Sequence, residues 1–369
     1  MIRVLFFIHD LGQGGAEKVL LNLVNGMDKT KFDITVMTLF SGGVNEQFLA
    51  QHIHYKSVFK REFPANSRIL KIFTPEYLHR KFIKDYYDIE VSYLEGPTAR
   101  IISGCQCETS KLVNWIHCIH KDKGHFSSSF RNYNEALKCY NSFHYTACVA
   151  EDVKNNFLSL SKYKKTCNVL FNTIDSKRIL ELSIEPVDIT LNPSICNIIT
   201  TGTLKEVKGY DRLLRVIKRL NDESIPLHLF ILGKGPLEGE LKQFVNKNHL
   251  NDIVTFLGYH INPYKYLSKM DLFVCSSYSE GFSTAVTEAL ILGNPVVTTL
   301  CSGMQELLGE NNEYGIITEN NEDALYEGIK EMLTTPGLLN HYAEKALERG
   351  KEFSTEKTTR AVEEMLLSL

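Results

Sequence analysis

The chain of 369 residues lacks any apolar run near the roughly 18–20 residues that a membrane-spanning helix needs. The apolar N-terminal stretch is too short for a signal peptide and leads straight into a glycine-rich loop. Its nine cysteines are odd in number and scattered, which argues against a disulfide scaffold and fits a reducing cytoplasm. The absences predict a cytoplasmic globular protein, long enough for two domains.

Three common motifs for binding phosphate groups are also missing. No G-x-G-x-x-G stands where a dinucleotide fold would need it, and no Lys-Ser/Thr follows the first glycine loop. No Asp-x-Asp occurs anywhere in the sequence, and a metal-held diphosphate generally needs such oxygen ligands. These absences argue against a nicotinamide-dependent oxidoreductase, a P-loop enzyme and a metal-dependent transferase.

One group of cysteines and histidines contains potential metal ligands. Its spacings, Cys-x-Cys and His-Cys-x-x-His, match none of the usual structural zinc patterns. We therefore expect no metal and no bound cofactor. The residues are Cys105, Cys107, His117, Cys118 and His120.

The two halves differ in charge. Residues 1–180 carry 24 Lys and Arg against 17 Asp and Glu, whereas the remainder carries 17 against 27. A basic half suggests an anionic partner such as a lipid surface or a lipid-phosphate acceptor. An uneven distribution without functional meaning is an equally open interpretation.

Residues 56–87 mix basic and aromatic side chains. Such a mixture can bind single-stranded nucleic acid or lie on an anionic membrane, and a solvated basic face over an aromatic core is the commoner structural alternative. Because no nucleic-acid fold signature stands nearby, we expect no nucleic acid and favour membrane or acceptor contact. The residues are Lys56, Phe59, Lys60, Arg61, Phe63, Arg68, Lys71, Phe73, Tyr77, Arg80, Lys81, Phe82, Lys84, Tyr86 and Tyr87.

Residues 271–298 carry the clearest functional pattern. An apolar strand at 272–275 is followed by a turn-rich loop, a helix over 284–292 and a second strand from Pro295. This order is typical of a parallel α/β sheet. The N-terminus of the helix can bind phosphate through backbone N–H groups. Those groups belong to Gly281, Phe282, Ser283 and Thr284.

Two carboxylates frame this loop and helix, at Glu280 and Glu288. An ionised carboxylate suits vicinal hydroxyls better than phosphate, since it only accepts hydrogen bonds. Phosphate beside sugar hydroxyls predicts a nucleotide-sugar site. From the spacing alone, two ordinary surface glutamates are an equally good interpretation.

The string E-G-F-S-x-A-V-x-E-A-L-x-x-G-x-P-V-V resembles the Glu-x7-Glu signature of the retaining GT-B glycosyltransferases of family 4. The resemblance implies a GT-B fold, with two Rossmann-like domains facing across a cleft and a C-terminal helix crossing back to the first domain. It also implies that Glu280 faces the donor sugar and that Glu288 holds the ribose.

Further motifs occur in the order of that family. Gly14 and Gly15 match its first loop, beside the donor diphosphate and the acceptor, and His117 matches a histidine of the catalytic pocket better than His120 does. In the second half, the loop from Gly202 resembles G-R-L-x-x-x-K-G-x-D. Further on, Gly233 and Tyr259 stand where relatives border the nucleotide and its base.

The G-R-L-x-x-x-K-G-x-D resemblance implies that Lys208 neutralises the diphosphate. Thr203 stands where the family has an arginine, so half of the usual clamp is absent; either Lys205 substitutes for the arginine or the donor binds more weakly.

We therefore predict a domain over residues 1–180 that binds the acceptor and a linker over 181–194. A nucleotide-sugar domain follows over 195–350, and the returning helix spans 351–369. The predicted reaction is metal-independent, retaining transfer from a UDP-sugar to a saccharide or lipid-linked saccharide in cell-surface polysaccharide assembly. Catalytic roles fall to Glu280, His117 and Lys208. The place of action is the cytoplasm, with the inner face of the cell membrane as one site. The alternative is a non-catalytic relative that binds nucleotide sugars or membranes.

Overall fold

The computed structural model describes residues 1–12 and 14–369. The chain forms two compact units, one of residues 1–174 with 355–369 and the other of residues 175–354. Each unit is a parallel sheet whose strands are connected by helices.

The first unit has a seven-stranded sheet in the order β3-β2-β1-β4-β5-β6-β7, with every neighbouring pair parallel. Its central strands are nearly continuous apolar runs, as expected where helices cover both faces. The elements are β1 (Ile2–Ile8), α1 (Gly15–Gly26), β2 (Phe32–Phe40), β3 (His54–Phe59), α2 (Asn66–Leu70), α3 (Pro75–Phe82), β4 (Ile89–Ser92), α4 (Pro97–Ile102), β5 (Lys111–Ile116), α5 (Lys123–Phe126), α6 (Tyr133–Ser142), β6 (Tyr145–Cys148), α7 (Glu151–Ser161) and β7 (Thr166–Val169).

The second unit has a six-stranded parallel sheet in the order β10-β9-β8-β11-β12-β13. Its core is aliphatic and lies between the sheet and the helices. The elements are α8 (Ser176–Ser183), β8 (Cys196–Thr201), α9 (Tyr210–Asp222), β9 (Leu227–Leu232), α10 (Glu238–Lys247), β10 (Val254–Gly258), α11 (Tyr264–Leu267), β11 (Leu272–Cys275), α12 (Thr284–Ile291), β12 (Val296–Thr299), α13 (Met304–Leu308), β13 (Ile316–Thr318), α14 (Glu322–Thr334) and α15 (Leu338–Gly350).

The last helix, α16 (Thr355–Leu367), belongs to the first unit. It packs against the end of α1, where the backbone N–H of Asp28 donates to Glu363 at 2.7 Å. Val362 and Leu366 are buried on its inner face. A C-terminal helix that returns to the first domain is therefore present, beginning at Thr355 and not at residue 351.

The boundary between the units differs from the predicted one. Residues 175–180 and the predicted linker belong to the second unit, because α8 packs on α11 and α12. Ser268 donates to the carbonyl of Ser183 at 2.8 Å, and Asn262 donates to that of Leu182 at 2.9 Å. Residues 184–195 then run as irregular chain. Sequence periodicity could not reveal this packing, since α8 is short and its partners lie some 80 residues away.

The helix before β11 is a single turn, spanning only Tyr264–Leu267, with Pro263 as its N-cap. Just before it, the side-chain oxygen of Asn262 accepts from the backbone N–H of Tyr264 at 3.1 Å.

In both sheets the chain reverses its direction of travel beside a central strand. β1 lies between β2 and β4, and β8 lies between β9 and β11. In open α/β sheets, ligands bind outside the carboxyl ends of the strands at such a reversal. The loops after β1, β4, β8 and β11 are therefore the places to look for function.

Glycines allow the strand ends of the second unit to pack closely. A Cβ built at Gly233 would lie 1.9 Å from the carbonyl oxygen of Gly202, and both residues have φ near +145°. Residues other than glycine rarely adopt such a backbone conformation. The loops after β8 and β9 can meet only because both residues are glycine.

We expect Gly233→Ala to destabilise the second unit by about 2 kcal/mol or more, since it adds both strain and a backbone clash. Gly239→Ala is the control, because its Cβ would meet open space among the described residues at the start of α10. That change should be neutral or stabilising by up to about 1 kcal/mol. Thermal unfolding of both variants measures this, and equal midpoints would contradict the prediction.

Candidate functional site

The predicted nucleotide-sugar residues of the second unit lie at one edge of its sheet. Gly202 and Thr203 follow β8, Gly233 follows β9 and Tyr259 follows β10. Residues 280–284 follow β11 and lead into α12. The strand order therefore brings together residues that are up to 82 positions apart in the sequence.

At this edge, Glu280 is held by two donors. The Lys208 ammonium lies 2.6 Å from Oε1 of Glu280, and the hydroxyl of Ser277 donates to the same oxygen at 2.6 Å. The carboxylate is largely buried and the lysine is partly exposed. The sequence predicted both charged residues, but neither their direct contact nor the role of Ser277.

Burial alone would lower the pKa of Lys208, but the charge and hydrogen bond of Glu280 outweigh it and raise that pKa above the usual value. The lysine is therefore an ammonium group at neutral pH. It has three N–H donors, and Glu280 takes one of them. The remaining donors can serve an anionic ligand while the ion pair stays in place.

Gly209 makes this contact possible. Its φ is +63°, and a Cβ there would lie 2.1 Å from the carbonyl oxygen of Ser276. The hydroxyl of Ser276 in turn donates to the carbonyl of Lys208 at 3.0 Å. The Lys-Gly pair is thus required for the loop after β8 to lie against the loop after β11.

Arg212 fixes the backbone of the loop after β11. Its side chain is only 2% exposed, and it donates to the carbonyls of Ser276 and Ser277 at 2.5 and 3.0 Å. Its guanidinium also lies 4.2 Å from the ring centre of Tyr278. Thr299 donates to the Ser277 carbonyl at 2.6 Å. Sequence reasoning missed this arginine, because nothing local distinguishes it from the surface bases of α9.

The N-terminus of α12 is capped by Ser283, whose hydroxyl accepts from the backbone N–H of Val286 at 3.4 Å. Phe282 is buried beside it, 6.0 Å from the ring centre of Phe353. Gly281 and Thr284 flank this cap. The helix end therefore has a fixed position, with its positive pole beside Glu280 in the chain.

Glu288 lies further along α12 and is 8% exposed. Tyr264 of α11 donates to its Oε1 at 3.0 Å. The contact orients the carboxylate. Tyr264 was not singled out from the sequence, because α11 carries no motif.

Thr203 and Lys205 are both exposed in the loop after β8. The backbone N–H of Lys205 donates to the carbonyl of Thr203 at 2.8 Å, which forms a tight turn. That Lys205 replaces the family's arginine stays a prediction.

In the first unit, Gly14 caps α1 and Gly15 begins it. A Cβ at Gly14 would lie 2.0 Å from a carboxylate oxygen of Glu17, so the Glu17 side chain would have to move to admit one. Just before the loop, Asp10 contacts the ring of His9 at 2.7 Å and accepts from the backbone N–H of Gly12 at 2.6 Å. The sequence did not single out this carboxylate.

His117 follows β5, and its ring lies 5.0 Å from that of Tyr93. Glu95, after β4, accepts from the backbone N–H of His117 at 3.0 Å and from the Cys118 thiol at 2.6 Å. Nε2 of His117 is buried and has no hydrogen-bond partner among the described residues. His120 is also buried, and Asn156 holds its backbone N–H at 2.8 Å.

Burial lowers the pKa of His117 to about 4, against a smaller opposing effect of Glu95. An ordinary histidine titrates near ~6.5. At neutral pH the ring of His117 is therefore uncharged and can donate or accept one hydrogen bond, according to its tautomer.

We expect the imidazole resonance of His117 to stay unchanged from pH 8 down to about 5.5 in NMR titration, and His117→Gln identifies that resonance by its loss. Because the folded-state pKa is depressed, the stability linked to the neutral ring is complete above ~6.5 and is lost as the pH falls toward 4. Titration near 6.5 would contradict this.

The comparison with known proteins agrees with this geometry. Residues 196–349 match the family model "Glycosyl transferases group 1". A Campylobacter jejuni protein is 29% identical over 382 aligned residues, and the alignment covers the full length of both chains. Its name is N-acetylgalactosamine-N,N'-diacetylbacillosaminyl-diphospho-undecaprenol 4-alpha-N-acetylgalactosaminyltransferase.

More distant matches are of the same kind. The lipopolysaccharide core biosynthesis glycosyltransferase LpsD of Rhizobium meliloti is 22% identical, over 90% of this chain and 88% of its own. Anabaena HepE, solved with UDP and glucose, superposes with a TM-score of 0.76 at 18% identity, and each chain is fully covered. The galactosyltransferase WaaB gives 0.77 at 14% identity, over 100% of this chain and 99% of its own.

Two parallel-sheet units and a returning helix, together with these structural neighbours, define the GT-B fold. The family match and the named relatives make the chain a glycosyltransferase. Residues 196–349 are similar to the group 1 glycosyltransferases, and the relatives named above include one of lipopolysaccharide core biosynthesis. The predicted fold and enzyme class are thereby confirmed.

Proposed function

We propose that the chain is a retaining, metal-independent glycosyltransferase of family 4 that moves a sugar from a UDP-sugar to a lipid-linked saccharide. The observation that carries the proposal is the cluster of Lys208, Glu280 and Ser277 at the strand reversal, beside the N-terminus of α12.

The donor's parts correspond to separate groups at this edge. Lys208 and the first amides of α12 neutralise the diphosphate, and Glu288 accepts from the ribose hydroxyls. Glu280 faces the transferred sugar, with its orientation fixed by Ser277. The bound UDP in the HepE structure supports the choice of base.

Charge neutralisation by Lys208 removes the need for a divalent ion at the diphosphate. In the proposed retaining route, the bond between the sugar and the diphosphate breaks while the acceptor oxygen forms the new bond on the same face. The leaving phosphate takes the acceptor proton. On this proposal, His117 is a neutral hydrogen-bonding group for the sugar and not a charged acid.

Because Lys208 neutralises the diphosphate charge, added Mg²⁺ or Mn²⁺ should leave the rate of transfer unchanged.

The acceptor class rests on the relatives. The Campylobacter jejuni protein's name contains a saccharide on diphospho-undecaprenol, and LpsD is named for lipopolysaccharide core biosynthesis. A lipid-linked saccharide is accordingly the proposed acceptor, in capsule, exopolysaccharide or lipopolysaccharide assembly. A non-catalytic relative would bind nucleotide without turnover, and the intact set of Lys208, Glu280 and Glu288 favours the enzyme.

We expect UDP at about 100 times its Kd to stabilise the protein by about 2.7 kcal/mol in thermal unfolding. Glu288→Ala should lose most of this stabilisation, since it removes the ribose acceptor, whereas Glu240→Ala, an exposed change on α10, should keep it. Glu280→Gln should keep UDP binding and lose transfer. Parallel loss of UDP binding and transfer in Glu280→Gln would contradict its assigned role.

We also propose that residues 56–87 contact an anionic membrane. Part of the segment forms an aromatic core, which is the structural alternative named above. There, Phe59 packs against Phe63 and Phe82, with ring centres 5.2 and 5.5 Å apart. Other side chains of the segment are exposed. Ile72 is 72% exposed, and Phe73 stacks on Tyr77 at 5.1 Å with both rings partly exposed.

Two arginines hold the backbone behind this apolar surface. Arg100, which is buried, donates to the carbonyls of Leu70 and Phe73 at 3.0 and 2.7 Å. Arg131 donates to those of Lys71 and Ile72 at 2.7 and 2.9 Å. Four consecutive carbonyls are thus fixed, so the apolar side chains project from a rigid turn.

Exposed bases on the same segment match an anionic lipid surface, each contributing about 1 kcal/mol near it. They are Lys60, Arg61, Arg68, Arg80, Lys81 and Lys84. A bilayer therefore suits both the apolar and the basic side chains of the segment.

We expect the protein to co-sediment with vesicles that contain anionic phospholipid and much less with neutral ones. Ile72→Glu should weaken this binding at least several-fold without changing the thermal midpoint, because the side chain is exposed. Ile261→Glu, in the second unit and 90% exposed, is the matched control and should bind normally. Equal binding by both variants would contradict the membrane contact.

A further inference from the structure

A second polar cluster lies in the first unit and takes no part in the proposed transfer. Nε2 of His79 lies 2.7 Å from Oε2 of Glu90, and Sγ of Cys105 lies 3.6 Å from Oε1 of the same carboxylate. The ligand-type atoms of all three residues fall within 4.8 Å of one another. Glu90 is 2% exposed, while His79 and Cys105 are partly buried.

Three separate elements bring these side chains together. His79 lies on α3, Glu90 on β4, and Cys105 in the turn after α4. That turn has a fixed position, because a Cβ at Gly104 would lie 2.1 Å from the carbonyl oxygen of Pro75. The three side chains therefore project from a rigid frame, as a preorganised binding site requires.

The donor set is an imidazole nitrogen, a carboxylate oxygen and a thiol sulfur. Zn²⁺ takes these three ligand types at about 2.0–2.3 Å in tetrahedral geometry, which places neighbouring ligand atoms roughly 3.3–3.8 Å apart. The observed separations, 2.7 Å from His79 to Glu90 and 3.6 Å from Cys105 to Glu90, lie near that range. The buried carboxylate is paired with His79, and one cation held by all three groups would replace the proton in that pair.

We propose that His79, Glu90 and Cys105 bind one zinc-class divalent cation, with the fourth position open to water. Binding displaces the proton between His79 and Glu90 and the proton of the Cys105 thiol, and both protons pass to solvent. The cation ties α3 and α4 to β4. Its role is structural, and it is independent of the diphosphate chemistry of Lys208 and Glu280.

Sequence spacing could not reveal this set. Cys105 was weighed with Cys107 and Cys118, its neighbours along the chain, whereas its partners in space lie 26 and 15 residues before it. The matched control is Cys107, an exposed thiol two positions away whose Sγ contacts the Thr109 hydroxyl at 3.2 Å.

The test is titration of the chelator-treated full chain with Zn²⁺ against a chromophoric indicator, and with Co²⁺ followed by absorption. We expect one equivalent of tight binding, a thiolate-to-cobalt charge-transfer band and a rise in the thermal midpoint with Zn²⁺. Cys105→Ser should remove the band and weaken Zn²⁺ binding by at least about tenfold, and His79→Gln should weaken it similarly. Cys107→Ser should leave all three signals intact.

The absence of the cobalt band in the unmodified chain would overturn the proposal, whatever the stability of the variants. Equal Zn²⁺ affinity in Cys105→Ser and Cys107→Ser would also overturn it, and the cluster would then be a buried ion pair of His79 and Glu90 alone. Thermal unfolding without metal shows that each variant is folded.

Discussion

The ion pair between Lys208 and Glu280 is the contact on which the second unit's carboxyl edge depends. Both groups lie where water is partly excluded, so an unpaired charge at either position would cost several kcal/mol. The pair connects the loop after β8 to the loop after β11, which are neighbours in space but 72 residues apart. Gly209 permits the approach, and Ser277 supplies a second donor to the carboxylate. The edge is thus built from two loops that side-chain contacts hold together.

Arg212 shows how the scaffold supports that edge. Its guanidinium has five donors in a fixed plane, and the loop carbonyls of Ser276 and Ser277 accept from it. Burial lowers the pKa of Arg212 below its usual value, so the cost of desolvation is offset by these contacts and by the ring of Tyr278. Arg100 plays the same part in the first unit, where it fixes the carbonyls of Leu70 and Phe73. In both units, a buried arginine holds an irregular segment through its backbone carbonyls.

Much of the fold was predictable because a parallel sheet buried on both faces requires apolar strands. The strand at 272–275 has the predicted bounds. The motif residues Lys208, Glu280 and Glu288 were found because each stands in a short sequence motif that resembles a known family. Ser277, Tyr264 and Glu95 were not, since their roles arise from contacts with residues 3, 24 and 22 positions away that no periodic pattern encodes. The boundary at residue 174 was missed for the same reason, because only packing assigns α8 to the second unit.

The two halves of the chain treat buried carboxylates alike. Glu280 is compensated by a lysine and a serine, Glu135 by Arg100, and Glu90 by His79 and Cys105. Replacing such groups with apolar ones often stabilises a protein, so their presence points to roles other than stability. Glu280 has its proposed role at the donor edge, and Glu135 on α6 supports an exposed turn through Arg100 and Arg131. Glu90 is contacted by His79 of α3 and by Cys105 of the turn after α4, and the proposed cation would join all three groups.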